Sequence, residues 1–140
     1  MVVMSKRIER ELAQLLEGGQ KTTLCQGTWK GTTTSCVVFH DVVTAGGAKG
    51  LPHTTDVIVP VPGGYPAAAI DLAGLTIGSP FLGRVVGVTN AHGVIVANGQ
   101  QWQMVSYHPH GDGGAPPWDQ MTNGFHTYLM ELLVWLGNIN

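Results

Sequence analysis

The chain has 140 residues, of which 44% are hydrophobic and 11% are charged. This length and composition predict one globular domain over residues 1–140 and exclude a disordered chain or two independent cores. The formal net charge is −2 and no Lys or Arg follows Arg84, which argues against nucleic acid as a partner because phosphates need clustered cations.

The first predicted element is an amphipathic helix over residues 5–17. Ile8, Leu12 and Leu15 recur at helical spacing, and Gly18 follows as a stop. Charged residues occupy the region where a secretory signal would need an apolar run, and no stretch approaches the ~20 apolar residues of a membrane span. We therefore expect a soluble, cytoplasmic protein that does not bind membranes.

The segments TTLCQGTWKG and TTTSCVVFHDVVT, over residues 22–44, predict two strands joined by a short turn. Both halves are rich in Thr, Val and aromatic residues, and Gly31 separates them. A third strand follows in the segment VIVPVP, where pairing should end near Pro60 because proline has no N–H to donate. The apolar stretch after it is irregular, and we predict one short strand there, near Leu75.

Residues 84–108 predict three extended pieces separated by two turns. Residues 90–93 and the pair Asn98 and Gly99 supply the turn chemistry, since Asn and Gly tolerate positive φ. The segment HPHGDGGAPPW is a loop by composition. The last predicted element is a helix ending before Gly137, with its start open between residues 116–117 and 122–123. Its apolar positions at helical spacing are Trp118, Met121, Phe125, Leu129, Leu132, Leu133 and Leu136.

The order of these elements predicts an α+β fold with helices set against an antiparallel sheet. Three local patterns then carry a resemblance to a known family. The first is VIVPVPGGYPAAAIDL, with Gly64, Tyr65, Pro66 and Asp71. The second is WQMVSYH, with Trp102, Gln103, Ser106 and His108, and the third is Trp118 followed by NGFHTYL and a run of leucines. Together, over roughly residues 53–136, they resemble prokaryotic family E of the ubiquitin-conjugating-enzyme superfamily.

The resemblance implies a ubiquitin-conjugating-enzyme-like fold: an N-terminal helix, an antiparallel four-stranded meander sheet, and a long C-terminal helix packed on the sheet. It also implies a component of a bacterial ubiquitin-like modification system, which binds or presents a ubiquitin-like protein, with transfer of that protein left open. The implied partners are the ubiquitin-like protein, an activating enzyme of the adenylating type and a deconjugating metallopeptidase. Neither a metal nor another cofactor is expected.

The chain departs from the superfamily pattern at its cysteines, because none follows Cys36, whereas a transferring member carries one before its late helices. Thioester transfer needs a thiolate as nucleophile and leaving group, so the standard mechanism is not expected. Cys25 and Cys36 are predicted to be reduced thiols in or near adjacent strands. A bond between them, or a catalytic role for either, stays an alternative.

His108 is the main candidate catalytic residue. A histidine on this motif could act as acid, base or acyl acceptor, or bind the tail of a partner; alternatively it anchors the loop through hydrogen bonds. The residues predicted to bind a partner or support the loop are Trp102, Ser106, His110, Trp118, Asn123 and Tyr65.

Two other functions remain open. His108, His110 and Asp112 form an HxHxD stretch, which would fit a small metal-dependent hydrolase if further ligands supported it. The third reading is a non-enzymatic interaction domain unrelated to ubiquitin-like proteins.

Overall fold

The computed structural model describes residues 6–110 and 115–140, with the side chain of Asn90 left out of the description. The elements in chain order are α1 Lys6–Glu17, β1 Thr22–Trp29, β2 Thr32–Val43, a 3-10 turn at Gly46–Lys49, β3 Thr54–Pro60, β4 Ala73–Thr76, β5 Val88–Ala97, β6 Gln100–Ser106 and α2 Phe125–Gly137. Within the described ranges, neither helix is long and apolar enough to cross a membrane.

The strands form a closed antiparallel barrel in the order β1-β2-β3-β4-β6-β5. Strand β5 returns to pair with β1, where Gly27 lies opposite Ala97 and Trp29 lies opposite Ile95. The indole N–H of Trp29 also donates to the carbonyl oxygen of His92 at 2.6 Å across this seam. The predicted ubiquitin-conjugating-enzyme-like fold with its open four-stranded meander sheet is therefore wrong. Closure gives the edge of β1 a hydrogen-bonding partner, which an open sheet would leave exposed.

Several local predictions hold inside this different architecture. Strands β1 and β2 are joined by a turn at Lys30 and Gly31, and β3 ends at Pro60. The short strand near Leu75 is β4. Asn98 and Gly99 both have positive φ, 52° and 74°, as a tight hairpin turn requires.

The predicted turn at residues 90–93 is wrong, because β5 runs through this segment as one strand. Its pairing with β6 shifts register between Thr89 and Val94, so the extra residues bulge instead of reversing the chain. Gly93, at φ 76°, lies in this bulge. A bulge and a turn both use residues that accept positive φ, which explains why the sequence did not separate them.

The core has two parts, which follow the alternation of side chains along the strands. Val37 and Phe39 of β2 face the helices and join a cluster that includes Leu132 and Leu136 of α2. The intervening residues face the other way and join Trp102 in a second cluster inside the barrel; its buried members are Cys36, Val38, Ile58, Leu72, Ile95, Ala97, Trp102 and Met104. Each large side chain buried in this way contributes roughly 1.5–3 kcal/mol.

Helix α2 begins at Phe125, later than either predicted start. Met121, expected on its apolar face, is 82% exposed, and residues before the helix form a turn in which the Asn123 side chain accepts a hydrogen bond from the backbone of Asp119 at 2.9 Å. The N–H of Phe125 donates to the carboxylate of Glu11 at 3.0 Å. A carboxylate is favourable at a helix N-terminus, so a residue of α1 helps to fix where α2 starts.

Glu11 is 5% exposed and joins three parts of the fold. Its carboxylate pairs with Arg7 at 2.7 Å and accepts hydrogen bonds from the Tyr65 hydroxyl and the Phe125 N–H. Burial, together with the hydrogen bond to Glu11, raises the pKa of Tyr65 well above its ordinary value. This network fastens α1, the turn at Tyr65 and the start of α2 to one another.

Candidate active site

The candidate site lies where the end of β6 passes the segment that leads into β4. Ser106 is the last residue of β6, and its Oγ lies 2.8 Å from Nε2 of His108. The Nδ1 of His108 in turn forms a hydrogen bond with Oδ1 of Asp71. A hydroxyl, an imidazole and a carboxylate therefore stand in one row.

The direction of these hydrogen bonds follows from the groups themselves. An ionised carboxylate only accepts, so the proton of a neutral His108 must lie on Nδ1 and be donated to Asp71. Its Nε2 then accepts, and the hydroxyl of Ser106 donates to it. This is the connectivity of a serine nucleophile, a general base and the residue that orients that base.

The backbone around Leu72 brings the row together. Strands β4 and β6 pair with Ala73 opposite Val105, and the N–H of Leu72 extends this ladder by donating to the carbonyl oxygen of Tyr107 at 2.8 Å. Leu72 has φ 76°, a conformation that a bulky side chain rarely adopts. Its carbonyl oxygen accepts a hydrogen bond from the buried Tyr128 hydroxyl at 3.2 Å. Backbone held in such a conformation is concentrated at functional sites.

A cavity of about 270 Å³ opens beside Ser106 and His108. The other residues that line it are Val86, Tyr107, Val134, Trp135 and Asn138. Tyr107 and Trp135 stack with ring centroids 5.0 Å apart, and the indole N–H of Trp135 donates to the carbonyl oxygen of Val86 at 2.7 Å. The cavity therefore has a fixed aromatic wall next to the hydroxyl.

Solvent can reach this row. The side chains of His108 and Asp71 are 38% and 51% exposed, so the site is a surface cleft. The ring of His92, from the bulge in β5, meets the ring of His108 edge-on at 6.0 Å. The bulge thus supplies one side of the imidazole's surroundings.

Three of the predicted site residues lie together but do not join the row. Trp118 donates from its indole N–H to the carbonyl oxygen of Pro66 at 2.8 Å, and His110 meets its ring edge-on at 5.2 Å. Tyr65 lies 6.3 Å from Trp118 between ring centroids. These contacts fasten the two ends of the loop after His108 to the turn at Pro66.

Trp102 and Asn123 lie elsewhere. Trp102 is fully buried inside the barrel and donates to the carbonyl oxygen of Ala97 at 2.9 Å, so its side chain packs the core and cannot meet a partner. Asn123 belongs to the turn before α2. Neither side chain reaches the row formed by Ser106, His108 and Asp71.

The HxHxD stretch does not gather ligands in the part of the chain that can be described. His108 is engaged by Ser106 and Asp71, and Nδ1 of His110 bonds the carbonyl oxygen of Pro116 at 2.8 Å. Asp112 lies outside the described residues. Among residues 6–110 and 115–140, no group of three or more His, Cys, Asp or Glu side chains could hold a metal ion.

The two cysteines are free thiols that lie opposite each other on β1 and β2. Burial raises the pKa of the Cys36 thiol to about 12 and also raises the pKa of Cys25. Both belong to the cluster inside the barrel, and neither lines the cavity beside Ser106. A buried thiol with a raised pKa is a poor nucleophile, so the geometry does not favour either cysteine as a surrogate.

A second hydroxyl–imidazole–carboxylate row occurs in the barrel wall and provides a comparison. Thr23 Oγ1 lies 2.7 Å from Nε2 of His40, and Nδ1 of His40 lies 3.3 Å from Asp56. The other carboxylate oxygen of Asp56 accepts the N–H of Asp41 at 2.9 Å, where β2 shifts register at φ 53°. This row supports a bulge, and its hydroxyl is the more hindered secondary one.

The sequence identified His108 as a catalytic candidate but did not identify its two partners as such. Asp71 and Ser106 each match a position in the patterns that carry the family resemblance, Asp71 in the first pattern and Ser106 in the second. That match was the only signal that linked them to His108. Ser106 lies two residues from His108, whereas the contact of Asp71 with His108 depends on the pairing of β4 with β6, which no local pattern specifies.

In comparisons with known proteins, no family model, no curated protein and no solved structure matches the chain. Membership of the ubiquitin-conjugating superfamily stays a prediction from the three sequence patterns. The fold that this membership implied is not the fold of the chain.

Proposed function

We propose that the protein catalyses acyl transfer, with Ser106 as nucleophile, His108 as general base and acid, and Asp71 as the residue that orients His108. The observation that carries this proposal is the row of two hydrogen bonds that joins these residues beside an open cavity. The simplest reaction of this kind is hydrolysis of a carboxylic ester.

The reaction follows from the direction of the hydrogen bonds. Ser106 Oγ attacks the ester carbonyl carbon while its proton moves to Nε2 of His108, and the carbon–oxygen bond to the alcohol then breaks as His108 returns that proton to the leaving oxygen. Water attacks the acyl-Ser106 ester with His108 again taking a proton. The bond from the acyl carbon to Ser106 Oγ then breaks as His108 gives this proton to Oγ, which releases the carboxylic acid and restores the Ser106 hydroxyl. Asp71 stabilises the imidazolium formed in both steps.

The test is covalent labelling with a fluorophosphonate probe, which reacts with activated serine hydroxyls. We expect one label per chain on wild-type protein, located at Ser106 by peptide mass analysis, and none on Ser106→Ala. Thr23→Val is the matched control, since it removes the hydroxyl of the second row, and its labelling should equal that of wild type. Labelling that persists in folded Ser106→Ala, or no labelling of wild type, would exclude Ser106 as the nucleophile.

A second candidate function keeps the predicted ubiquitin-like partner. It is favoured by the convergence of Asp71, Ser106 and His108, which all lie on the patterns behind the family resemblance. In this version an activating enzyme of the adenylating type supplies the modifier as an acyl donor, and Ser106 carries it as an oxyester before an amine accepts it. A cytoplasmic location and a metallopeptidase that removes the modifier belong to this proposal.

The two candidates differ in acyl donor and acceptor. Incubation with a ubiquitin-like protein, its activating enzyme and ATP should give a hydroxide-sensitive, thiol-resistant adduct at Ser106 under the second candidate. Hydrolysis of simple esters with no such adduct supports the first candidate alone. The adduct in wild type but not in Ser106→Ala would support the second.

A further inference from the structure

We propose that the substrate is an ester with a short, uncharged, apolar acyl group, of roughly four to eight carbons, that binds in the cavity beside Ser106. This inference rests on the proposed function, because it assigns the acyl group that Ser106 accepts. It is carried by the position, size and lining of the cavity.

The position of the cavity makes it an acyl site. Ser106 and His108 form part of its wall, so a carbonyl carbon within reach of the Ser106 hydroxyl places one of its two substituents in the cavity. The alcohol portion can then extend toward solvent on the side of His108, which is partly exposed. His108 must reach the leaving oxygen to protonate it, and this arrangement keeps the two close.

The size of the cavity limits the length of the chain. A closed apolar cavity of about 150 Å³ accepts benzene, and the cavity here is about 270 Å³. Acyl groups of four to eight carbons fit within it, whereas a long fatty acyl chain would leave most of its methylene groups in water. This volume is close to the lower end of the range seen for small-molecule binding sites.

The lining of the cavity selects an apolar group. Among the described residues that form it, none is Lys, Arg, Asp or Glu. Val86 and Val134 are 62% and 56% exposed, so their side chains leave apolar surface open to water at the mouth, and the stacked rings of Tyr107 and Trp135 provide the wall. A charged acyl group would lose hydration there without gaining a side chain of opposite charge among Lys, Arg, Asp and Glu.

Asn138 is the polar group of the cavity that does not belong to the row. Its side-chain amide has two N–H donors, and one donates to the carbonyl oxygen of Val134 at 3.0 Å. The second donor is available to a substrate oxygen. This N–H group of Asn138 would add one polar contact to a substrate whose acyl chain is otherwise apolar.

The experiment measures kcat/KM for p-nitrophenyl esters of acetate, butanoate, hexanoate, octanoate and dodecanoate, and of the charged succinate monoester, with Ser106→Ala as the blank. We expect a maximum between butanoate and octanoate, since each additional buried methylene group favours binding about fourfold. Dodecanoate and the succinate monoester should each fall at least tenfold below that maximum.

Variants at the mouth test the assignment directly. Val134→Phe should fill the cavity, shift the maximum to acetate and lower kcat/KM for hexanoate about tenfold or more. Val86→Phe, at the other exposed valine of the lining, should act in the same direction. Val96→Phe is the control, because Val96 is also half exposed but does not line the cavity, and its profile should equal that of wild type.

The outcomes separate this inference from the proposed function. If Ser106 is labelled and acetate is hydrolysed, but the chain-length profile is flat or unchanged in both mouth variants, the acyl-site assignment is overturned and the nucleophile stands. A preference for the succinate monoester would overturn it as well. If wild type neither accepts the label nor hydrolyses any ester, the proposed function fails and this inference fails with it.

Discussion

The backbone N–H of Leu72 donates to the carbonyl oxygen of Tyr107 at 2.8 Å. Leu72 follows Asp71 in the chain, and Tyr107 precedes His108. This single bond sets the register at which a carboxylate and an imidazole, 37 positions apart in the chain, face each other. Because Leu72 has φ 76°, the chain turns sharply there. The site is therefore held by backbone geometry as well as by its own side chains.

Replacing Asp71 by Asn should lower the rate of the proposed reaction. The Asn amide can donate to Nδ1 of His108, and it then favours the tautomer that carries the proton on Nε2, where it cannot accept from Ser106. In a buried triad such a change lowers kcat about 10⁴-fold; because Asp71 is half exposed, we expect about 10²-fold or more. Steady-state kinetics of ester hydrolysis measures the effect.

The control for Asp71→Asn is Asp56→Asn in the second row. It should leave kcat unchanged while lowering stability slightly, because Asp56 supports the bulge in β2. Equal losses of activity in the two variants would count against a specific role for Asp71.

Glu11→Ala should destabilise the protein by about 3 kcal/mol. The change removes a buried carboxylate and leaves Arg7, the Tyr65 hydroxyl and the N–H of Phe125 without it, and breaking a buried charged pair costs about 3–5 kcal/mol. The lower end applies because Arg7 is partly exposed. Urea denaturation followed by circular dichroism gives the free energy of unfolding.

Glu9→Ala on the same helix is the matched control, since Glu9 is exposed. Its free energy of unfolding should stay within about 0.5 kcal/mol of wild type. If the two glutamate variants lost the same stability, the network at the start of α2 would not be stabilising.

Gly27→Ala should destabilise the protein by about 1–3 kcal/mol by crowding the seam that closes the barrel. A Cβ at this position would lie 2.8 Å from the Cβ of Ala97 and 2.9 Å from the carbonyl oxygen of Val96. In an open sheet lacking this seam, alanine would be tolerated or slightly stabilising in a strand. Denaturant titration therefore distinguishes a closed barrel from an open sheet.

Gly63→Ala serves as the comparison for Gly27→Ala. No atom lies within 4 Å of the added Cβ, and Gly63 is not among the glycines with positive φ. We expect stability equal to that of wild type. A neutral result at both positions would contradict closure between β1 and β5.

The Cys36 thiol should react with an aromatic disulfide reagent at pH 8 only when the protein unfolds. Modification of the Cys25 thiol, which is partly exposed, should not change ester hydrolysis. Burial raises the pKa of Cys36 from 9.0 to about 12, so the folded state keeps a proton that the unfolded state loses. The free energy of unfolding should therefore fall as the pH rises from about 9 to about 12.

In Cys36→Ala that decline with pH should be smaller, while activity at pH 8 is retained. Loss of activity on thiol modification, at unchanged fold, would instead restore a cysteine as a candidate nucleophile.

The local elements could be predicted because short-range rules govern them. The periodicity of Ile8, Leu12 and Leu15 gave the first helix, the missing N–H of Pro60 ended a strand, and Asn98 with Gly99 marked a turn. The start of α2 could not be predicted in this way, since it depends on a carboxylate at Glu11, more than a hundred positions earlier in the chain.

By itself, the sequence determined the helices and most of the strands, and it marked His108 as a candidate, since each of these depends on neighbours within a few positions. Only the tertiary structure decided that β5 closes the barrel against β1, and that Asp71 meets the imidazole of His108 at the nitrogen that Ser106 does not use. The physical reason is that pairing between distant strands is selected by the packing of the whole core, and two side chains acquire a joint chemistry only after that pairing places them within hydrogen-bonding distance.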